Sequence, residues 1–586
     1  METMKTRMNV LFVLAVLCSF LAIGSMAEAA ESVLDVIPGD ALGFGVVNRL
    51  GATDAKIVRL IERMGISFEG TPLEAIKRAA RASKGLDDKG SVAVMFMPGP
   101  KSDDMPKPAI LVPVVDYNEF LENFDTEKLT DEIQRVELPN GQALVAHKNG
   151  HALLVQSGDQ ELLESILANE TSIAKQVAPW AAWIDESDAS AVLTGRAIKM
   201  LADTISKKID EMKPMFETMG PQGEQAIAGF AMYQKAFALM GREVDMAGIG
   251  VVIEQDGSVR LTSLGRMDPD GTLADSFKDV PALPHNIWTG IPNEPFAFAA
   301  AGAMPKGLIE GLMEFSMNAM KGGPNIYQLD EARMKQMTEM SVEMMKGVQG
   351  MSLAMGVVEK GQPLYLKTTG AYWVDDSEAF LKRYVELINS MTQLTDEAKS
   401  PLANMTAVPV EIAGRNGLEV TIDLSAMYDQ PELAQFAPLF QAMFGPEIAM
   451  KTYLVAADAK TIVLAYLDKD RAADAVKATG PSANLDASPA VAAMIRRLPT
   501  DAQWIGVWSP QGTIQLVQAM LAGFAPEGTD ISLPDFPETP PVGFAMKASP
   551  DEVRKELLIP IEVIKAISAY LPQLQQTMMP QAVPTH

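Results

Sequence analysis

Cysteine is all but absent from this chain: the one residue, Cys18, lies inside an N-terminal apolar run. A single cysteine forms no internal disulfide and no thiolate cluster, so stability must come from packed cores. Histidine is scarce as well, with residues only at 147, 151, 285 and 586. That leaves no H-E-x-x-H pattern and no multi-histidine metal cluster, and no metal or other cofactor is expected. G-x-S-x-G and a Walker lysine loop are missing. Gly43-Phe44-Gly45 and Gly248-Ile249-Gly250 lack the third glycine and helix start of a dinucleotide fingerprint. Lying inside apolar strands, they read as places where another backbone packs closely. Basic residues are outnumbered, 49 Lys and Arg against 75 Asp and Glu, for a formal charge of −26. Such a surface repels phosphate backbones and anionic headgroups, which excludes nucleic acid as a partner and makes the acidity a solubility device.

What is present begins with an export pattern. Lys5 and Arg7 precede an apolar run from Val10 to Ile23, which is followed by Ser25, Met26, Ala27, Glu28 and Ala29. This predicts a signal peptide over 1–29 with cleavage after Ala29, and hence a secreted, periplasmic or cell-surface protein. The run is shorter than the roughly 20 residues a membrane-spanning helix needs, and no later stretch is apolar enough, so no integral membrane segment is expected in the mature chain. Cys18 would depart with the leader, making the mature protein cysteine-free.

Apolar periodicity then reveals three recurring patterns. In the first, a short strand runs into an amphipathic helix, as in Leu42 to Val47 followed by Ile57, Leu60, Ile61 and Met64, with Thr53 as N-cap and Gly65 as stop. It recurs at Ala189 to Leu193, Phe296 to Ala301 and Trp504 to Trp508. In the second, a hairpin leads to a helix, twice with the spacing D-x-x-x-F-L-x-x-aromatic: Asp116, Phe120, Leu121, Phe124 and Asp376, Phe380, Leu381, Tyr384. Aspartate there satisfies free backbone donors and the aromatic pair packs back on the sheet. Ile249 to Leu264, turning at Asp256 and Gly257, and Val542 to Leu558 look like further hairpins. The third pattern sets turns at Asn140-Gly141 and Asn416-Gly417 before a further hairpin and helix.

The order of these patterns repeats, so the sequence predicts an internally duplicated α+β fold. Its antiparallel β-hairpins would carry helices packed on one sheet face, with Met-rich helical insertions at Lys199 to Arg242 and Pro305 to Gly347. The expected organisation is a first repeat half over 30–281, a linker over 282–293, a second half over 294–572 and a disordered tail over 573–586.

Candidate sites are few. His147 and His151 flank Lys148-Asn149-Gly150; a three-residue loop would put them on one face, a two-residue loop on opposite faces. Asp268, Asp270 and Asp275 lack a full calcium loop and read as a capped turn before a helix. Methionine is abundant, at 37 residues, and recurs at three- and four-residue steps. Met313, Met317, Met337 and Met344 define a candidate apolar groove, against the plainer reading of core packing. Thioether binding of Cu(I) finds no supporting histidine or cysteine beside the stripe.

Ile37-Pro38-Gly39-Asp40-Ala41 with the strand from Leu42 to Val47 resembles the opening of uncharacterised exported proteins of planctomycete-type bacteria, and the later series of strands and Asp-capped helices is similar to theirs. The resemblance implies an envelope or extracellular location and carries over no catalytic residue. The function expected is a non-enzymatic binding or scaffold protein with an unknown protein or an apolar small molecule as partner. The alternatives are a carrier of an apolar ligand in a cavity under the Met-rich helices and a hydrolase using paired carboxylates.

Overall fold

The computed structural model describes residues 32–66, 69–99, 105–139, 141–309, 311, 331–395, 405–425, 437–480, 482–524 and 533–578. It is a mixed α/β protein of antiparallel sheets that divides into two compact units. The first runs to Asp203 and includes Met240–Arg266; the second holds Thr204–Leu239 and everything from Met267 onward.

In the first unit, β1 (Gly43–Val47) lies between β2 (Val92–Met97) and β8 (Ala189–Thr194), with Phe44 opposite both Met95 and Val192. Beyond β2 come β3 (Lys107–Pro113), β7 (His151–Gln156), β6 (Gly141–Lys148), β5 (Ile133–Leu138) and β4 (Thr126–Lys128). Beyond β8 come β9 (Val244–Ile253) and its hairpin partner β10 (Val259–Met267). The order across the sheet is β10-β9-β8-β1-β2-β3-β7-β6-β5-β4.

The second unit has its own ten strands. Here β11 (Phe296–Ala303) lies between β12 (Val348–Gly356) and β18 (Trp504–Trp508). On one side follow β13 (Thr368–Val374), β17 (Thr461–Tyr466), β16 (Ala449–Asp458), β15 (Arg415–Asp423) and β14 (Met405–Ile412). On the other follow β19 (Val542–Ala548) and β20 (Glu552–Ile559). Its order, β20-β19-β18-β11-β12-β13-β17-β16-β15-β14, is that of the first unit with ten added to each strand number.

Helices do not keep to one sheet face, contrary to the sequence expectation. Successive strand residues point to opposite faces, yet neighbours such as Leu144 and Val145, or Ile462 and Val463, are all fully buried. In the first unit Leu144, Leu153 and Leu111 meet Leu163 and Ile166 of the helix Gln160–Ala168. Val145 and Ala152 meet Phe120 and Leu121 of the helix Tyr117–Leu121 on the other side. A sheet region covered twice needs apolar residues at both parities, which explains why strands such as β6, β7 and β17 read as continuous apolar runs rather than alternating ones. Each large side chain so buried contributes about 1.5–3 kcal/mol.

Several local expectations shift. Thr53 is no cap: the helix starts at Leu50 after Arg49, whose φ is 46°, and the Thr53 hydroxyl inside the first turn donates back to the Asn48 carbonyl. Gly65, at φ 71°, does end that segment. Asn416 and Gly417 belong to β15, paired with Glu411 and Val410; the turn is Ala413-Gly414, both with positive φ. Those two left-handed residues match the twist of a two-residue hairpin, and register follows from them. Gly141 has positive φ, while Asn140 lies outside the described residues. Within 282–293, Ile287, Trp288 and Ile291 are packed into the second unit's core, Trp288 with no exposure at all. The final helix, Ile561–Met578, extends through residues read as tail, holding Tyr570 and Leu574 against Phe536.

Candidate functional site

A cleft of 570 Å³ opens in the second unit between the loop after β12 and the helix Pro510–Phe524. The loop wall carries Val357, Val358, Glu359 and Lys360, and Lys367 just before β13. This wall is held by backbone: Val357 N–H donates to Pro295 O and Gly356 N–H to Lys367 O, both at 3.0 Å. Its turn is closed by Glu359 N–H donating to Gln362 Oε1 at 3.0 Å, with Gly361 supplying the positive φ.

The helix wall presents Gln515, Gln518, Ala519 and Ala522, an i, i+3, i+4, i+7 stripe on one face. Ser509 caps this helix, accepting from Gly512 N–H at 3.0 Å. A side chain at Gly512 would overlap the Phe296 carbonyl, so the absence of a Cβ lets the first turn lie directly on β11. Gln518 Nε2 donates to Leu533 O at 2.7 Å, which fixes the orientation of its amide. Asp535 and Pro295 complete the lining. The side chains of Lys367, a half-buried residue, and of Gln515 have no protein partner among the described residues. The cleft therefore offers cationic, anionic and amide groups over a small apolar floor.

In the first unit the two central histidines part company. Asn149 and Gly150 form a two-residue turn at φ 44° and 70°, so His147 and His151 face opposite sides of the hairpin. His151 is buried, its Nδ1 2.9 Å from Asn149 O; burial is the main cause holding its pKa below the usual histidine value, with nearby His147 adding to it. Carbonyl contacts and Asp87 act in the other direction. His147 packs at a tilt against Tyr117, ring centroids 5.1 Å apart, and desolvation pushes the Tyr117 phenol up to about 12.

A buried polar cluster joins the end of β1 to the start of β8. Asn48 Nδ2 donates to Ile184 O and Ser187 O at 2.6 and 2.8 Å, and its Oδ1 accepts from the Ser91 hydroxyl. Asp188, 1% exposed, accepts from Lys56 Nζ at 2.7 Å and Ile253 N–H at 2.8 Å. Every charge here has a partner inside the protein, so the cluster fixes strands rather than presenting chemistry to solvent.

The methionine stripe is only partly in view. Met313 and Met317 lie outside the described residues. On the helix Glu331–Met344, Met337 and Met344 are half-buried and Met334 is buried, while Met344 and Met345 pack against the core of β12, β13 and β17. Asp268 accepts from Asp270 N–H at 3.1 Å in a turn before the helix Thr272–Ser276, and Asp275 pairs with Lys278. Among the described residues, no three His, Cys, Asp or Glu side chains gather so as to hold a metal ion. Gly43 does face a neighbouring backbone, since a Cβ there would lie 2.7 Å from Val192 O, whereas Gly248 and Gly250 make room for the Trp183 indole.

The cleft was not among the sequence candidates. Its one signal was the interruption of the helix 510–524 by Gln515, Gln518, Ala519 and Ala522 on the face away from Ile514, Val517, Leu521 and Phe524. Among the described residues the fold thus defines a mixed α/β protein of two ten-stranded antiparallel units, with an open polar cleft in the second. No family model, no curated protein and no solved structure matches this chain. Among the described residues, no helix is long and apolar enough to cross a membrane.

Proposed function

We propose that this chain is an exported, non-enzymatic binding or scaffold protein of the cell envelope or extracellular space, built by duplication of one ten-stranded half. The observation that carries the reading is the common strand order of the two units. Ten strands admit a great many orders, and chains that repeat a non-sequential one most simply do so by copying it. On this reading the halves are 30–281 and 294–572, and the Met-rich helical segments are insertions within them. The Lys5 to Ala29 pattern supports export, and so does the resemblance of Ile37 to Ala41 with the strand Leu42 to Val47 to exported proteins of planctomycete-type bacteria.

Binding rather than turnover is supported by where the ionisable groups sit. Buried Asp188 is paired with Lys56 and with the Ile253 backbone, and the open cleft combines charges of both signs with amides. Packing of Met344 and Met345 into the core supports a structural role for that stretch of the stripe. The test is native mass spectrometry of protein purified gently from its own source. A chain beginning at Ala30 that carries a retained small molecule, or forms a defined assembly with itself or another protein, is expected. A bare monomer, or a chain retaining Met1, would overturn the proposal.

A further inference from the structure

We infer that the cleft between the β12–β13 loop and the helix Pro510–Phe524 binds a short peptide of two or three residues with both ends free. This deepens the binding-protein reading and rests on it. A volume of 570 Å³ lies within the roughly 300–1,000 Å³ of small-ligand sites, and a tripeptide spans about 10 Å when extended.

The charges select the ligand. Lys367 would attract an anion, but Glu359 and Asp535 in the same lining would repel one; a cation meets the reverse. A molecule carrying both signs at separated ends satisfies all three. Lys367, a half-buried residue without a side-chain partner among the described residues, receives the carboxylate; Glu359 and Asp535 receive the ammonium.

The amides select the middle of the ligand. A primary amide has donors and an acceptor with the geometry of a peptide group. Gln518 is held by its bond to Leu533 O, which leaves Oε1 to accept from a peptide N–H, while Gln515 keeps both functions. Ala519 and Ala522 keep that wall low, and Val357, Val358 and Pro295 offer apolar surface to a small aliphatic side chain.

The experiment is calorimetric titration of the full chain with Ala-Leu-Ala carrying free ends, with its N-acetylated, C-amidated form and with phosphocholine. Saturable binding of the free peptide is expected, at least tenfold weaker for the capped form and for Lys367→Met, and abolished in Ala522→Trp. Circular dichroism checks that the variants fold, and Lys367→Met carries the test alone if Ala522→Trp does not. No binding of the free peptide, equal binding of the capped form, or preference for phosphocholine would each overturn the peptide assignment. A companion retained in native mass spectrometry would still uphold the binding role, so the two failures are distinguishable.

Discussion

Asp116 and Asp376 perform the same task in the two units. Each follows the third strand of its unit, and each side-chain oxygen accepts from the backbone N–H three residues on, Glu119 at 3.0 Å and Ala379 at 2.9 Å. Each carbonyl also accepts from the residue four on, Phe120 and Phe380, at 3.0 Å. Those phenylalanines are fully buried, and the next residues, Leu121 and Leu381, are both 8% exposed.

Caps of this kind contribute about 1 kcal/mol. Asp116→Ala and Asp376→Ala are therefore each expected to lower the unfolding free energy by about that amount, with Asn at either position retaining most of it. Urea denaturation followed by tryptophan fluorescence measures this. A loss at one site with none at the other would break the equivalence.

The buried pair Lys56–Asp188 makes a larger claim. Asp188→Ala would strand the Lys56 ammonium and the Ile253 N–H in a place water reaches poorly. A loss of roughly 3–5 kcal/mol is expected, as for other broken buried pairs. Asp188→Asn, which keeps an acceptor for Ile253, should lose less. If Asp188→Ala unfolds like the parent chain, the cluster does not fix β1 to β8.

Two glycines should respond in opposite ways to alanine. Gly506 lies opposite Phe544 in register, and a Cβ there would overlap the ring, which itself stacks on Phe298 at 5.6 Å. Gly506→Ala should destabilise by about 1–3 kcal/mol through forced repacking. Gly229 sits in the helix Pro221–Glu243 with nothing within 4 Å of its Cβ position, so Gly229→Ala should stabilise by about 0.5–1 kcal/mol. Thermal melts of both variants decide the point; a neutral Gly506→Ala would mean the strand pair slides to accommodate the methyl.

The strands and the Asp-capped helices were legible because each is written in local residues: apolar runs, an aspartate at a fixed offset, a glycine at a turn. What escaped was set by partners distant in sequence. Whether a sheet is covered on one face or two depends on which helices return to it, and Val145 reads the same either way until Phe120 is found against it. The turn at Ala413-Gly414 lost to the more familiar Asn416-Gly417 because alanine rarely takes positive φ. The cleft joins residues some 150 positions apart, Lys367 and Gln515 among them, and no local pattern could pair them.

His151 predicts how the first unit answers to acid. Its pKa in the folded protein is held below the ordinary value, chiefly because burial disfavours the charged ring. The unfolded chain, with histidine near 6.5, then binds the proton more readily than the folded one. Its contribution to stability is complete above about 6.5 and is lost as pH falls from there through the depressed folded value, below which it stays flat. Melting temperature should therefore drop between pH 7.5 and 5.5, and His151→Gln, which cannot take up the proton, should shrink that drop while lowering stability at pH 7.5. A His151→Gln protein with the parent's full pH dependence would assign the acid response to other groups.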